Sequence, residues 1–397
     1  MGVTDVSKAL EEAKALVAAL ESYDGSEKAH LGLLNQATNV RSALETPTDT
    51  CTRWLENLSA AGAMHILVRT RAITKLSADA SIGATELARE CNLDASVITR
   101  CMRILLLSGI FEETAPDEYR HNGLSQAFLP EVLGTFVCMS TDFVRTWGVM
   151  PEYAKTHAPE DLYDLKKTPI NFLNGHEGMT FYEALQLDEE ERHLWNLTLQ
   201  AMSKGFPIVG MFPFRDLEEQ VTSEPDRPFI VDMGGGRGQA LLELQEHCGG
   251  SYGSKLILQD LPIVIDSLSP EEIPGIEPMK HDVFTPQPVK NAHVYFMRRL
   301  LHDFYDPECL EILRNLVPAM GPSSRLIISD MLLPDLVVPG DDRTAYWLDL
   351  CLLCIGGRER KLREFEAMFA EVGLELVQVH RSSAGHVAML ETRVKRE

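Results

Sequence analysis

Basic side chains are the scarce class in this 397-residue chain. Lysine and arginine number 37 against 59 aspartates and glutamates, a formal net charge of −22. Such a balance repels phosphate backbones and anionic headgroups, so neither nucleic acid nor a membrane surface is an expected partner. Long apolar runs are missing too. No stretch of about 18 uncharged apolar residues occurs, and nothing is expected to span a bilayer. The opening MGVTDVSKALEEAKALV has no basic region leading into an apolar run, which argues against a secretory signal. Gly2 suggests myristoylation, but Val6 stands where that motif wants Ser or Thr. The eight cysteines are scattered through apolar periodic segments, the usage of reduced, buried thiols in a cytoplasmic protein. Only Cys351 and Cys354 form a C-x-x-C. No second pair joins them and WLDLCLLCIGG reads as a buried helix, so packing is expected there and no metal site.

What is present is ordinary globular composition, 45% hydrophobic and 24% charged, at a length suited to two or three domains. The pattern divides into a helical and winged-helix stretch over 1–130, a helical stretch over 131–215, and a stretch of alternating strands and helices over 216–397. DVSKALEEAKALVAALESY is amphipathic, with Leu10, Ala13, Leu16, Val17 and Leu20 on one face. CTRWLENLSAAGAMHILV is more apolar and reads as buried. Apolar surface on such helices often packs on a partner subunit. IGATELARECN and DASVITRCMRILLLSGIF predict two helices, the second capped by Asp94 and stopped by Gly109, with two short strands following around Pro116–Asp117. That order is a winged helix. The second helix offers only Arg100 and Arg103, and the wing carries Glu112, Glu113, Asp117 and Glu118, so scaffolding is favoured over DNA binding. Residues 130–215 hold many bulky groups, among them Met139, Phe143, Phe181, Trp195 and Phe206. Most should be core; some would line an apolar pocket for a flat substrate.

From Pro228 onward, strands FIVDM, KLILQD, HVYFMR and RLIISD alternate with helical stretches, the pattern of a parallel sheet covered on both faces. LELVQVHRSSAGHVAMLETRV predicts a closing antiparallel hairpin. The first strand leads through Gly234, Gly235, Gly236 and Gly238 into a helix, a turn that lets a ligand approach the backbone. It is not the dinucleotide G-x-G-x-x-G, because Gln239, Leu241 or Arg237 spoils each register, and the P-loop lysine is absent. What fits is D-x-G-x-G-x-G from Asp232 to Gly238, suited to a nucleoside without a pyrophosphate, with Asp232 available to an ammonium tail. Asp260 ends the second strand, where an acid can hold ribose hydroxyls or cap the helix beginning at Leu261 and Pro262. Asp282 and Val283 of HDVF would flank an adenine, and Arg298 ends the next strand. His302 follows just past that strand's C-terminal end, where α/β sheets place ligands. Asp330 at the end of RLIISD and Glu359 in GGRER are its candidate orienting acids, since a carboxylate on one imidazole nitrogen leaves the other free as a base. A phenol titrates near 10 and histidine near 6.5, so full deprotonation before attack would cost roughly 5 kcal/mol. A carboxylate-stabilised imidazolium and concerted proton loss reduce that cost.

VDMGGGRG, LQDLP, HDVF, FMRRLLHDFYDPECLEIL and GGRER, in this order and spacing, resemble the plant-type small-molecule O-methyltransferases and their fungal relatives. The resemblance implies an α/β fold, a Rossmann-like class I methyltransferase sheet with an N-terminal helical winged-helix dimerisation domain, and a homodimer interlocked through that domain. It implies S-adenosyl-L-methionine as cofactor, held by Gly234, Gly235, Gly236, Asp260, Asp282, Val283 and Arg298, and a hydroxylated small molecule as substrate. It makes His302 the general base, flanked by Asp330 and Glu359. Arg298 stands where plant members commonly carry lysine, and Asp330 where they often carry the longer glutamate. Two other readings remain. Some fungal relatives bind the cofactor yet catalyse dehydration or pericyclic steps, although the retained His302 favours methylation. A cofactor-sensing winged-helix regulator is opposed by the acidity of the chain.

Overall fold

In a computed structural model, residues 5–203, 206–338, 340–383 and 385–395 are described. The backbone divides into two compact units, Met1–Tyr23 with Gly32–Gly205 and Asp24–Leu31 with Phe206–Glu397. No helix among the described residues is long and apolar enough to cross a membrane.

The first unit is helical. Val6–Glu21 and Pro47–Arg69 are long helices, the second started by a capping box in which Asp49 Oδ2 accepts from the Thr46 amide at 2.8 Å. Helices Ala84–Glu90 and Ala95–Leu106 follow, the latter capped by Asp94, which accepts from the Ser96 amide at 2.9 Å. Strands β1 (Ile82–Gly83), β2 (Glu112–Ala115) and β3 (Glu118–Arg120) form a small antiparallel sheet in the order β1-β3-β2. Leu67, Ile73, Leu87, Ile98, Met102 and Tyr119 are fully buried at the centre of this region. The expectation of a buried CTRWLENLSAAGAMHILV holds only for its C-terminal part. Met64, Leu67 and Val68 are buried, whereas Trp54, Leu55 and Leu58 are each more than half exposed. Composition alone does not separate the two ends, because apolar residues there serve two different surfaces. Helices Thr135–Thr156, Pro169–Asn174, Phe181–Leu185 and Glu189–Ser203 complete the unit.

The second unit is built on a twisted sheet. Its strands are β4 (Ile230–Met233), β5 (Leu256–Asp260), β6 (Ile276–Lys280), β7 (Val294–Arg298), β8 (Arg325–Leu333), β9 (Arg360–Lys361), β10 (Leu374–Arg381) and β11 (Val387–Val394). The spatial order is β10-β11-β8-β7-β4-β5-β6, with β9 paired to the end of β8. Strands β4 to β8 run parallel, and the β10–β11 hairpin adds antiparallel to β8. Side chains alternate between two buried faces. Val231, Tyr295 and Leu326 enter one apolar cluster, and Ile230, Phe296 and Ile327 the other. Helices therefore cover both faces, which is why these strands read as unbroken apolar runs.

Strand β6 is the element that periodicity does not announce. Its sequence IEPMK contains Pro278, which cannot donate to a ladder, and the structure puts it at the sheet edge, where proline is tolerated. The chain moves outward from β4 through β5 to β6, then returns to the other side of β4 with β7. The reversal opens a crevice at the C-terminal ends of β4 and β7, the place where such sheets bind ligands.

Candidate active site

The turn after β4 is shaped by glycine. Gly234, Gly236 and Gly238 have φ of +68°, +60° and +80°, the left-handed region that costs other residues strain. Gly235 is required for space, because a Cβ there would overlap the side chains of Asp232 and Leu258. A Cβ on Gly236 would meet nothing, so this side of the turn is open. The amides of Gly234 and Gly235 donate to the Gln259 carbonyl at 2.9 and 3.1 Å.

Asp260 ties the turn to β5. Its Oδ2 accepts from the Gly236 amide and its Oδ1 from the Leu261 amide, both at 2.8 Å. Burial raises its pKa, and these two amides pull it partly back. Each carboxylate oxygen keeps a further lone pair for a ligand hydroxyl. Leu261 beside it is 43% exposed. The His281 amide donates to the Asp260 carbonyl at 2.9 Å, which draws the end of β6 alongside. There Asp282 is exposed and accepts from the Phe284 amide at 3.0 Å, while Val283 is half-buried against the core.

Asp232 is 1% exposed, and its Oδ2 has no hydrogen-bond partner. Burial pushes its pKa up to about 7 against the pull of Arg298. Arg298, at the end of β7, donates to the Phe206 carbonyl at 2.9 Å, and burial brings its own pKa down to about 10. A buried carboxyl oxygen left without a donor is costly, and an incoming cation or N–H group would relieve it.

His302 lies on a 3-10 turn, Leu301–Asp303, directly after β7. It is 4% exposed. Its Nδ1 is 2.9 Å from Glu359 Oε1, and its Nε2 is 3.5 Å from Asp303 Oδ1. Burial opposes the imidazolium, but the charges of Glu359 and Asp303 outweigh it and hold the His302 pKa above the ordinary value. Glu359 reaches this place because β9 runs parallel to the end of β8, with Arg360 paired to Leu332. Asp330 on β8 is buried nearby, and neither carboxyl oxygen has a hydrogen-bond partner. Burial lifts it to about 7, while His302 draws it down. The structure thus separates the two acids: Glu359 is hydrogen-bonded to the imidazole and Asp330 is not.

Three residues that the motifs did not single out hold this centre in place. Arg360, 1% exposed, donates from Nη1 to the Leu301 carbonyl at 2.8 Å and from Nη2 to the Phe304 carbonyl at 2.7 Å. Its Nε donates to Asp306 Oδ1 at 2.9 Å. One guanidinium therefore grips the backbone on both sides of His302. Gly357 packs under the same turn, where a Cβ would overlap the His302 carbonyl, and the Arg358 amide donates to that carbonyl at 2.8 Å. Asp349 Oδ1 accepts from the Glu359 amide at 2.8 Å. The sequence signal for Arg360 was slight, since arginine next to a helix start ordinarily points to solvent.

Replacing Arg360 by glutamine would take the guanidinium donors from two carbonyls and leave them the weaker Cys309 thiol, with the Phe304 amide at 3.3 Å on the Leu301 carbonyl. We expect Arg360→Gln to lower stability in urea unfolding by about 3 kcal/mol. It should also broaden the His302 imidazole resonance by freeing its turn. A loss under about 1 kcal/mol with an unchanged resonance would show that the clamp is incidental.

With this geometry in view, the chain can be set beside known proteins. The O-methyltransferase domain family matches residues 160–375. O-methyltransferase hmp5 of Hypomyces subiculosus is 37% identical over 393 residues, spanning 98% of both chains. O-methyltransferase afvC of Aspergillus flavus is 29% identical over 381 residues, 95% of this chain and 90% of its own. Among solved structures, OxaC in complex with sinefungin and meleagrin aligns with a TM-score of 0.86 at 25% identity, covering 98% of this chain and 100% of that one. A structure described as a pericyclic reaction enzyme aligns with a TM-score of 0.83 at 24% identity, with 98% and 100% covered, and so shares the fold. The chain belongs to the S-adenosylmethionine-dependent O-methyltransferase family.

Proposed function

We propose that this enzyme methylates a hydroxyl of a small aromatic or polyketide-like molecule, with His302 as general base. The observation that carries this reading is the buried His302–Glu359 hydrogen bond at the C-terminal edge of the sheet, next in strand order to the glycine turn.

The residues present fit the cofactor. The orphaned Oδ2 of Asp232 suits an ammonium group, the open turn at Gly236 allows close approach, and Asp260 has lone pairs left for ribose hydroxyls. Gly234, Gly235, Leu261, Asp282, Val283 and Arg298 complete the binding edge. When bound, S-adenosylmethionine supplies an electrophilic methyl on a sulfonium. His302 does the proton work. Nδ1–H donates to the Glu359 carboxylate, which fixes the tautomer and leaves Nε2 to receive the acceptor's proton. The raised His302 pKa narrows the gap to a phenol and so reduces the roughly 5 kcal/mol cost of deprotonation.

Mass spectrometry with methyl-labelled cofactor and a panel of phenolic and polyketide acceptors tests the reaction. We expect a product heavier by one labelled methylene, with stoichiometric S-adenosylhomocysteine. Cofactor-dependent rearrangement without methylation would replace this reading by a non-methylating one. His302→Ala should abolish turnover and leave cofactor affinity nearly unchanged.

The pH profile follows from the direction of the His302 shift. The base is active only when unprotonated, so kcat/KM should rise with pH through a midpoint above about 6.5. Glu359→Gln removes the anion that raises His302, so the midpoint should move to lower pH as kcat falls. A midpoint that stays put would remove Glu359 from this role.

We also propose a cytoplasmic homodimer. Leu10, Val17 and Leu20 on helix Val6–Glu21 and Trp54, Leu55 and Leu58 on helix Pro47–Arg69 are each more than half exposed, a surface suited to a second subunit. Light scattering at micromolar concentration should give twice the 44.3 kDa chain mass, and Trp54→Glu with Leu58→Glu should return it to that of one chain.

A further inference from the structure

Residues 281–293 join β6 to β7 with neither helix nor strand. This connection carries Asp282 and Val283, and two of its ties end on β5. At its start the His281 amide donates to the Asp260 carbonyl at 2.9 Å. Further on, the side chain of Gln287 meets that of Gln259, and both residues are fully buried. Gln259 Nε2 donates to Gln287 Oε1 at 2.9 Å, and Gln287 Nε2 donates back to Gln259 Oε1 at 2.8 Å. The Val289 amide donates to Gln287 Oε1 at 3.0 Å. That bond fixes which atom of the Gln287 amide is the oxygen, and with it the sense of the whole pair.

The same two residues of β5 also hold the glycine turn. The Gln259 carbonyl accepts from the Gly234 and Gly235 amides, and Asp260 Oδ2 accepts from the Gly236 amide. Gln259 and Asp260 are therefore a junction. The glycine turn hangs from it on the β4 side, and residues 281–287 hang from it on the β6 side. Packing alone does not call for amides here. Met279, whose Sδ lies 3.2 Å from Gln259 Nε2, and Val289 both belong to the apolar cluster on this face. A buried amide pair is unfavourable unless both of its bonds form, so it admits one placement of the two segments where an apolar contact would admit several.

We propose that the Gln259–Gln287 pair positions the nucleoside end of the cofactor site. It fixes the gap between Asp260 and the Asp282–Val283 strip, and it acts through those residues rather than by touching the ligand. This inference rests on the cofactor-binding edge proposed above.

Calorimetry well below the melting temperature measures S-adenosylhomocysteine binding to the full chain for Gln259→Met, Gln287→Met and the double variant. Methionine keeps the unbranched length of glutamine and removes the amide. Each single variant should weaken binding about tenfold, and the double variant no more than either single, because the two amides act as one unit. Methylthioadenosine, which lacks the amino-acid tail, should lose the same factor. The double variant leaves neither glutamine amide unpaired, so it is the one read if a single variant fails to fold. A pair that only stabilises the fold would lower the melting temperature and leave both ligands bound as in wild type, and that result overturns the proposal. So does a loss confined to S-adenosylhomocysteine, or losses that add in the double variant. Asp260→Ala separates the two readings. Unchanged binding there overturns the binding edge and this proposal with it, whereas weakened binding there with unchanged glutamine variants overturns this proposal alone.

Discussion

An imidazole and a carboxylate buried together, 2.9 Å apart and both under 5% exposed, persist only where each meets the other's need. Alone, a buried His302 would be held neutral by desolvation. Paired, the carboxylate accepts from Nδ1 and keeps the ring ready to carry a second proton. The surroundings are arranged to protect this geometry. Arg360 holds the carbonyls on either side of the histidine turn, Gly357 lets the GGRER segment lie directly beneath it, and β9 anchors Glu359 to the end of β8. A fully buried arginine is expensive to desolvate, and here its donors meet two backbone carbonyls and Asp306. What those bonds fix is the position of the His302 ring.

The same logic extends along the sheet edge. In parallel strands all the C-terminal ends face one way, so Asp260, Asp232, Arg298 and Asp330 come from residues up to 98 positions apart yet share one border. The backbone is bent to match. Three left-handed glycines after β4 and the left-handed Arg299 after β7 turn the chain at the two strands that flank the crevice.

How much of this was legible in the sequence depended on whether a local pattern marked it. The strands β4, β5, β7 and β8 stood out because burial on both faces makes them continuous apolar runs, and the glycine spacing before Gln239 was unambiguous. Strand β6 was silent because an edge strand needs little apolar sequence and tolerates Pro278. Asp330 and Glu359 were equally plausible partners for His302. Their choice rests on the pairing of Arg360 with Leu332, a long-range contact without a local signature. Trp54 and Leu67 lie in one apolar helix and face different surroundings. Arg360 was overlooked because its role is to bind backbone carbonyls, and no residue-type pattern advertises those acceptors.

The scarcity of cations noted at the outset reappears at the site in a sharper form. Asp232, Asp260 and Asp330 are each raised by burial, two of them to about 7, and Arg298, which moderates Asp232, is itself depressed to about 10. An edge so rich in under-compensated carboxyls is poised for a cation. On the proposed reading, the cofactor brings two positive groups, an ammonium and a sulfonium, to this border. Their arrival would draw protons off the neighbouring carboxyls, since a nearby positive charge stabilises the ionised form. The electrostatics that leave these carboxyls under-compensated are then the ones that favour a cationic ligand.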